Sequence, residues 1–213
     1  MPLTWGYLRW FHKHSGKLLV NTRSMKKLLE ERNFTGPMIT WTRGVDRNKL
    51  KPTRGYDYAA RPIVLYVGRV SKEQNLDALC IMQDTYDIEI VGDGPYRKKL
   101  EEKYPRVRFL GYQQDSELAN SYSRADVFCF PSKSDTFGIV MIEAMSLGTP
   151  VAAYLVDGPL DVIVEYTGCV NENLHKAIMV CLEMDRNLVK QRSSMWTWEQ
   201  CWTIFRDNLV NII

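Results

Sequence analysis

The stretch IVLYVGRV at residues 63–70 decides the fold, because five apolar residues in a row lead directly into a glycine and an arginine. An uninterrupted apolar run of this length, bounded by turn residues, is typical of a parallel strand that is buried on both faces of its sheet. The same rhythm of apolar run and helical pattern recurs four times, with predicted strands at 87–91, 107–111, 127–130 and 150–154. The predicted helices lie near 73–82, 96–103, 116–123, 137–147 and 159–164. Five such units predict a doubly wound, Rossmann-like α/β domain over residues 63–194, whose ligand binds at the carboxyl ends of the strands.

The segment PSKSDTFGIVMIEAMSLGTPV, residues 131–151, follows the fourth of these strands. Ser134, Asp135 and Thr136 are residue types that cap helices, and the apolar positions from Phe137 predict a buried helix that a Gly-Thr-Pro sequence ends. The start of such a helix presents unpaired backbone N–H groups and a positive dipole end. This end of the helix therefore favours an anionic ligand.

Two acidic residues flank the helix start, Asp135 in the loop and Glu143 on the helix. At about 1.5 Å per residue, Glu143 is expected roughly 7 Å along the helix axis from Gly138. The pair is then placed to accept hydrogen bonds from two different sugars on either side of a bound phosphate group. The alternative is that Asp135 only caps the helix and that Glu143 is only a solvated position.

The composition of the chain excludes several classes of protein. It has 213 residues, of which 45% are hydrophobic and 25% charged, as in ordinary globular proteins. No apolar run approaches the roughly 20 residues that span a bilayer, and the start of the chain lacks the apolar segment of a signal peptide. A cytoplasmic protein is therefore expected. The five cysteines show no C-x-x-C spacing, which predicts reduced thiols and neither a disulfide framework nor a metal site.

Positive charge is concentrated at the start of the chain. Residues 1–61 carry 13 Lys or Arg against 4 Asp or Glu, whereas the remainder carries 15 against 21. Such an asymmetry indicates either an anionic partner or segments of two different domains. Because no zinc-finger, RNP or interleaved aromatic and basic pattern is present, nucleic acid is not an expected partner. A peripheral contact with an anionic membrane surface stays open as an alternative.

The two ends of the chain differ from the central domain. The first 41 residues have a β-α-β pattern that is too small to stand alone, with a helix at 3–14, a strand at 17–22, a capped helix from Ser24 and a strand from Pro37. Residues 42–62 are polar, basic and irregular, and they are predicted to form a linker. Two helices are predicted in the last part of the chain, an amphipathic one in NENLHKAIMVCLEM from Asn171 and a final one, at 195–213, with a Trp-rich apolar face.

The spacing Asp135-x7-Glu143, with Phe-Gly just after the aspartate and EAMSLGTPV at its end, resembles the E-x7-E signature of the retaining GT-B glycosyltransferases of family 4, also called group 1. The resemblance implies that Asp135 meets the donor sugar and that Glu143 binds the ribose hydroxyls. It also implies that backbone amides at Phe137, Gly138 and Ile139 lie near the sugar and phosphate. Asp135 is one methylene shorter than the glutamate of the family, which shortens its reach.

The stretch GRVSKEQNL, residues 68–76, resembles the family pattern G-R-x-x-x-E-K-N. In this pattern Gly68 and Arg69 lie at the donor, and the arginine neutralises the leaving diphosphate together with a lysine. The lysine position holds Gln74, which carries no charge, so that stabilisation of the diphosphate is expected to fall unless Lys72 substitutes.

Three further stretches resemble loops of the same family. GDGP from Gly92 resembles a G-x-G-P loop in which Gly92 and Gly94 let the chain pass close to the ligand, while Arg97 in place of a third glycine breaks a dinucleotide fingerprint. VRFLGY implies that Tyr112 contacts the base. DGPLDVI from Asp157 resembles the loop that the family places opposite the phosphates, and the alternative is an ordinary turn that opens a helix.

The linker resembles the hinge between the two Rossmann-like domains of the family, with the match on Arg43, Gly44, Val45, Asp46 and Pro52. The resemblance implies that residues 1–41 end an N-terminal domain, that residues 42–62 are the hinge, and that the helix at 195–213 crosses back. The motifs are most similar to those of bacterial lipid mannosyl- and sulfoquinovosyl-type transferases.

The implied chemistry is transfer of a sugar from a nucleoside diphosphate sugar to a hydroxyl group with retention, in glycolipid or polysaccharide biosynthesis and without a metal or cofactor. This chain would supply the donor-binding half. The implied partners are a separate N-terminal acceptor domain, or a second copy through the Trp-rich helix. The alternatives are an inactive nucleotide-sugar-binding or interaction module, from a truncated or split gene, and a nicotinamide oxidoreductase, which the broken fingerprint disfavours.

Overall fold

The computed structural model describes residues 2–53, 55 and 60–209. The chain divides into two compact units, residues 1–44 with 196–213 and residues 45–195. Parts of two predictions lie outside the described residues, namely Arg54 and residues 56–59 of the linker and residues 210–213 of the final helix.

The first unit contains a two-stranded parallel sheet and helices. Its described elements are α1 Pro2–His12, β1 Leu18–Val20, α2 Arg23–Glu31, β2 Met38–Thr40 and a C-terminal helix over Trp198–Asp207. Two hydrogen bonds join the C-terminal helix to the β-α-β segment, from Trp41 Nε1 to the Cys201 carbonyl at 2.9 Å and from Lys17 Nζ to Asn208 Oδ1 at 3.0 Å.

The start of α2 corrects one detail. The capped helix predicted from Ser24 begins one residue earlier, and its N-cap is Thr22, whose Oγ1 accepts a hydrogen bond from the Met25 N–H at 3.1 Å. Threonine and serine are both good caps, so only the register of the helix decides between them.

The second unit is built on one six-stranded parallel sheet. Its strands are β3 Ile63–Val67, β4 Asp87–Val91, β5 Arg108–Gly111, β6 Val127–Phe130, β7 Val151–Tyr154 and β8 Gly168–Asn171. Their order across the sheet is β5-β4-β3-β6-β7-β8, and every neighbouring pair is parallel. The predicted doubly wound α/β fold is confirmed.

Short helices connect the strands of the second unit, namely α3 Asp77–Cys80, α4 Arg97–Lys103, α5 Asp115–Arg124, α6 Ile139–Ser146 and α7 Asp157–Val162. Two further helices, α8 Leu174–Leu182 and α9 Arg186–Arg192, follow β8. No helix among residues 2–53 and 60–209 is long and apolar enough to cross a bilayer.

Three elements differ from prediction. The helix predicted near 73–82 is broken, because Asn75 adopts a left-handed conformation with φ of 56° between a 3-10 turn, Lys72–Gln74, and α3. The sixth strand, β8, was not predicted, since its sequence GCVN is short and half-exposed. Nor was α9, which Asp185 caps by accepting a hydrogen bond from the Asn187 N–H.

The order of the strands determines where a ligand fits. The chain crosses from β3 to β4 and β5 on one side, and β6 to β8 lie on the other side. Adjacent connections therefore leave the sheet in opposite directions at β3 and β6, which opens a crevice at the carboxyl ends of these strands. Both strands are buried along their whole length, which fixes the floor of the crevice.

Candidate functional site

A cavity of about 560 Å³ lies in the second unit at this crevice. Its floor is formed by the ends of β3 and β4, and its walls by the segment after β5, the start of α6 and residues from the segment before β3. The predicted site residues that line it are Gly68, Arg69, Tyr112, Ile139 and Glu143. The location at the carboxyl ends of the strands agrees with the general rule for such sheets.

Arg69 follows β3 and brings a free cationic side chain to the cavity. It is exposed, and within the described part of the chain its guanidinium forms no salt bridge. The backbone of Arg69 is fixed by a hydrogen bond at 3.0 Å, which the hydroxyl of buried Tyr66 donates to the Arg69 carbonyl. A guanidinium presented in this way matches the oxygens of a phosphate group.

The glycines after β4 allow two loops to pack backbone to backbone. The Gly68 N–H donates to the Val91 carbonyl at 3.0 Å, and the Val70 N–H donates to the Asp93 carbonyl at 2.9 Å. A Cβ atom at Gly92 would overlap the Gly68 carbonyl oxygen, and its φ of 124° also favours glycine. Glycine is therefore required at position 92 by the contact with the neighbouring loop, before any contact with a ligand is considered.

Gly94 has the same structural reason to be glycine. A Cβ atom there would overlap the Val70 carbonyl oxygen, and Gly94 does not line the cavity. Its contact with a ligand stays a prediction.

The start of α6 is formed by Gly138, which corrects the predicted caps. Gly138 is the N-cap in a left-handed conformation with φ of 69°, and as a glycine it has no side chain with which to cap the helix. A Cβ atom at Gly138 would lie 3.0 Å from the ring of Phe130 and 2.9 Å from Met141 Cε. The Met141 N–H donates to the Gly138 carbonyl at 3.0 Å. The N–H groups of Ile139 and Val140 precede the first intrahelical bonds, and such groups at a helix start favour an anionic ligand.

Glu143 lies one turn into α6 and faces the cavity. Its Oε2 accepts a hydrogen bond at 2.9 Å from the hydroxyl of Tyr122, a fully buried residue of α5. Burial raises the pKa of Glu143 above its ordinary value, although the hydrogen bond from Tyr122 opposes that shift. The pKa of Tyr122 is raised as well, by burial and by the nearby carboxylate.

Asp135 lies in the loop between β6 and α6, away from the residues that line the cavity. Its carboxylate is close enough to Tyr66 to raise, together with burial, the pKa of that hydroxyl. A Cβ atom at Gly158 would overlap the Asp135 carbonyl oxygen, so the start of α7 packs directly on this loop. The segment from Asp157 forms the first turn of α7, as expected for a turn that opens a helix. Its place opposite the phosphates of a donor stays a prediction.

The remaining predicted residues are spread more widely. Phe137 is buried beneath the loop, and Gln74 is half-buried in the 3-10 turn and does not line the cavity. Tyr112 lines the cavity with 77% of its surface exposed. Next to Gln74, Asn75 Nδ2 donates to the Pro131 carbonyl at 3.1 Å, which ties the loop after β3 to the loop after β6.

Sequence reasoning missed two walls of the cavity. One is the start of α5, where Gln113, Gln114, Asp115 and Leu118 line the space and Asp115 has a φ of 50°. The other is the turn at 46–50, which contributes Asp46, Lys49 and Leu50. The second wall lies within the predicted linker, and its signal was a Gly-Val-Asp sequence interpreted only as a hinge.

The sequence profile described as "Glycosyl transferases group 1" matches residues 57–182, more than half of the chain. The chain belongs to this family. As a group 1 glycosyl transferase it is similar to a sulfoquinovosyl transferase of Arabidopsis thaliana, with 34% identity over 76% of this chain and 35% of the relative. It is also similar to a GDP-mannose-dependent alpha-mannosyltransferase of Mycolicibacterium smegmatis, with 33% identity over 75% and 44% of the two chains. The chain thus spans less than half the length of these relatives.

Solved structures share the fold of this chain. A sucrose-phosphate synthase from Thermosynechococcus elongatus has a TM-score of 0.78 at 22% identity, covering 97% of this chain and 62% of that one. A pneumococcal O-GlcNAc transferase in complex with UDP and GlcNAc has a TM-score of 0.75 at 15% identity, covering 95% and 46%. At these identities the likeness concerns the fold alone, which is that of GT-B transferases.

Proposed function

We propose that this chain is the donor-binding half of a retaining GT-B glycosyltransferase, which transfers a sugar from a nucleoside diphosphate sugar to a hydroxyl acceptor. The observation that carries the proposal is the cavity at the carboxyl ends of β3 and β4, where Arg69, the uncapped start of α6 and Glu143 meet. A cation, free backbone N–H groups and a carboxylate are the groups that a phosphate and a ribose require. Membership of the family supports the assignment.

Each residue of the site has a role in this proposal. Glu143 accepts hydrogen bonds from the ribose hydroxyls, and Tyr122 holds its carboxylate in place. Arg69 and the N–H groups at Gly138 and Ile139 bind the diphosphate. When the bond between the anomeric carbon and the phosphate oxygen breaks, its electron pair stays on the diphosphate, and these groups stabilise the new charge.

The sugar end of the donor is assigned to the loop between β6 and α6. Asp135 would accept hydrogen bonds from the sugar hydroxyls, with Phe137 supplying a backbone amide. Tyr66 supports this assignment, because its hydroxyl donates to the Arg69 carbonyl and its pKa is raised by burial and by the charge of Asp135. Gly68 and Gly94 shape the adjoining loops, and Tyr112 is placed to cover the base.

The acceptor is assigned to a partner of this chain. We infer that a separate N-terminal domain provides the acceptor site, or that copies associate through the C-terminal helix, on which Trp198 is 49% and Trp202 59% exposed. The excess of positive charge in residues 1–61 supports a peripheral contact at the cytoplasmic face of a membrane. Nucleic acid is not proposed as a partner.

An inactive nucleotide-sugar-binding module is the second proposal, because Gln74 stands where the family pattern has a lysine. Such a module would bind the donor with the same residues and transfer nothing. The two proposals share the binding step and differ only in turnover.

The test is donor binding followed by transfer. UDP-, GDP- and ADP-sugars at millimolar concentration are added to the purified chain, and the melting temperature is recorded, since a ligand at 100 times its Kd adds about 2.7 kcal/mol of stability. At least one nucleotide should raise the melting temperature of the wild type, and the increase should be smaller in Arg69→Met. If none does, both proposals fail.

Turnover is then measured after a separately produced N-terminal domain of a group 1 relative is added. Release of the nucleoside diphosphate with a new product that keeps the anomeric configuration of the donor supports the transferase. Binding without release supports the module.

A further inference from the structure

The charges around the cavity do not favour an anionic ligand as they stand. Among residues 2–53 and 60–209, two cationic side chains line it, Arg69 and Lys49, whereas four acidic residues do so, namely Asp46, Asp93, Asp115 and Glu143. A nucleoside diphosphate brings at least two further negative charges into this space. Its binding therefore depends on every cation that the cavity presents.

Several other basic side chains of the second unit are already engaged. Arg97 pairs with Glu101 at 2.8 Å and with Asp93 at 3.4 Å. Lys103 pairs with Asp77 at 2.6 Å, and the ammonium group of Lys133 lies 4.3 Å from the centre of the Tyr154 ring. Lys72, the obvious substitute for the missing lysine at Gln74, is exposed on the 3-10 turn and does not line the cavity.

Lys49 lies on a built turn at the cavity wall. Asp46 Oδ1 accepts hydrogen bonds from the N–H groups of Asn48 at 3.0 Å and Lys49 at 3.4 Å. The Leu50 N–H donates to the Asp46 carbonyl at 3.1 Å, and the Leu50 side chain is buried. The backbone of Lys49 is thereby fixed between a side-chain-capped turn and an apolar anchor.

This turn is fastened to the second unit at two places. Within it, Arg47 donates to the Ser193 carbonyl at 3.2 Å. After it, the Thr53 N–H donates to Asn120 Oδ1 on α5 at 2.8 Å. The segment around Lys49 therefore belongs to the walls of the cavity, although its polar composition predicts a linker.

We propose that Lys49 is the second cation that binds the anionic part of the donor, in place of the lysine that Gln74 replaces. The inference rests on the proposed function, because it assigns a further binding residue to the same site. Lys49 and Arg69 then approach the ligand from two different walls, and together they offset the carboxylates that line the cavity.

The test compares ligands with and without phosphate. A nucleoside diphosphate with the base that the wild type prefers, and the corresponding nucleoside, are titrated by calorimetry or displacement into wild type, Lys49→Met, Lys49→Arg and Lys72→Met. Lys49→Met should weaken the diphosphate about 10-fold and leave the nucleoside unchanged, since the lysine charge acts on the phosphate. Lys49→Arg should stay within about 3-fold of wild type, because it keeps the charge. Raising the salt concentration should reduce diphosphate affinity more in wild type than in Lys49→Met.

Lys72→Met is the matched control and should bind both ligands as the wild type does. The proposal is overturned if Lys72→Met loses diphosphate affinity and Lys49→Met does not, or if Lys49→Met weakens the nucleoside equally. Melting temperatures of all variants report on the fold, which should be unchanged because Lys49 is exposed. If the wild type binds none of the nucleotides, the proposed function itself fails. If the wild type binds the diphosphate and Lys49→Met binds it equally well, only the role of Lys49 is overturned.

Discussion

Two glutamates of the second unit, Glu89 and Glu143, are both withdrawn from water but have different surroundings. Glu89 lies on β4 with no exposed surface, and its carboxylate oxygens accept hydrogen bonds from Arg108 and Arg124. Glu143 lies at the cavity and has a neutral partner, the Tyr122 hydroxyl. In the described part of the chain it forms no salt bridge.

The difference separates structure from function. The charge of Glu89 is compensated inside the protein, so that it ties β4 to β5 and to the end of α5 and has no capacity left for a ligand. The charge of Glu143 is not compensated, which burial penalises and which raises its pKa. Glu143 thus keeps a strong hydrogen-bond acceptor at the cavity, although its burial lowers the stability of the fold. This combination is typical of a binding site.

The largest effect is expected from Glu89→Gln. Loss of this carboxylate removes both ion pairs and leaves a buried amide between two guanidinium groups, so the free energy of unfolding should fall by about 3 kcal/mol. The figure is at the low end for a buried pair, because Arg108 and Arg124 are 54% and 41% exposed and regain water. Urea unfolding at pH 7 measures it.

The control is Glu101→Gln, which makes the same chemical change in an exposed pair with Arg97. It should alter the free energy of unfolding by less than about 1 kcal/mol. Equal losses in the two variants would mean that the burial of Glu89 adds nothing to its pairing.

Glu143→Gln should act in the opposite sense on stability. A carboxyl group whose pKa is raised by folding contributes stability below its unfolded pKa and loses that contribution as the pH rises through its folded pKa. At pH 7 ionised Glu143 therefore destabilises the fold, and the glutamine variant should melt at a higher temperature. Its affinity for the nucleoside diphosphate should fall about 10-fold, because a neutral amide accepts weaker hydrogen bonds from the ribose.

Thermal melting and calorimetric titration of the same preparation measure both effects. A lower melting temperature together with unchanged nucleotide affinity would show that Glu143 is a structural residue like Glu89. The variant Arg69→Met provides the comparison for binding, since it weakens the nucleotide without changing the buried carboxyl group.

Tyr122→Phe tests the neutral partner and should have a smaller effect. The hydrogen bond from Tyr122 lowers the pKa of Glu143, so its loss should raise that pKa further. As the solution is acidified, Glu143 should become protonated at a higher pH in the variant than in the wild type. Nucleotide affinity should therefore begin to decline at a higher pH in the variant. The free energy of unfolding should fall by about 1 kcal/mol, as for one buried hydrogen bond. Titrations across a pH series measure the shift, and coinciding profiles would remove Tyr122 from the site.

How far the sequence predicts these features depends on the range of the interactions. Apolar runs such as 63–67 and 127–130 predict their strands to the residue, because burial on both faces leaves an unambiguous pattern. Glu143 was found by the motif that surrounds it. Its partner Tyr122 was not, since the contact arises where α5 packs on α6 and no local pattern encodes it.

The errors have the same origin. Ser134, Asp135 and Thr136 have the chemistry of caps, but the N-cap of the helix is Gly138. Glycine is favoured at this position because its φ is positive and a Cβ atom would meet the ring of Phe130. The segment around Lys49 has the composition of a linker, and only its hydrogen bonds to Ser193 and Asn120 make it a wall of the cavity. In both cases the prediction relied on the local preferences of the residue types, whereas the structure these residues adopt is determined by tertiary packing.

A third carboxylate gives the smallest predicted effect and completes the comparison. Asp84 pairs with Arg106 at 2.6 Å, but its side chain is 76% exposed. Asp84→Asn should change the free energy of unfolding by less than about 0.5 kcal/mol and leave nucleotide affinity unchanged, because water solvates both partners when the pair is broken. Urea unfolding at low and high salt measures this. A loss near that of Glu89→Gln would show that pairing alone makes a carboxylate structural here. The expected result would show that a carboxylate must be buried as well as paired, as Glu89 is, to stabilise this fold.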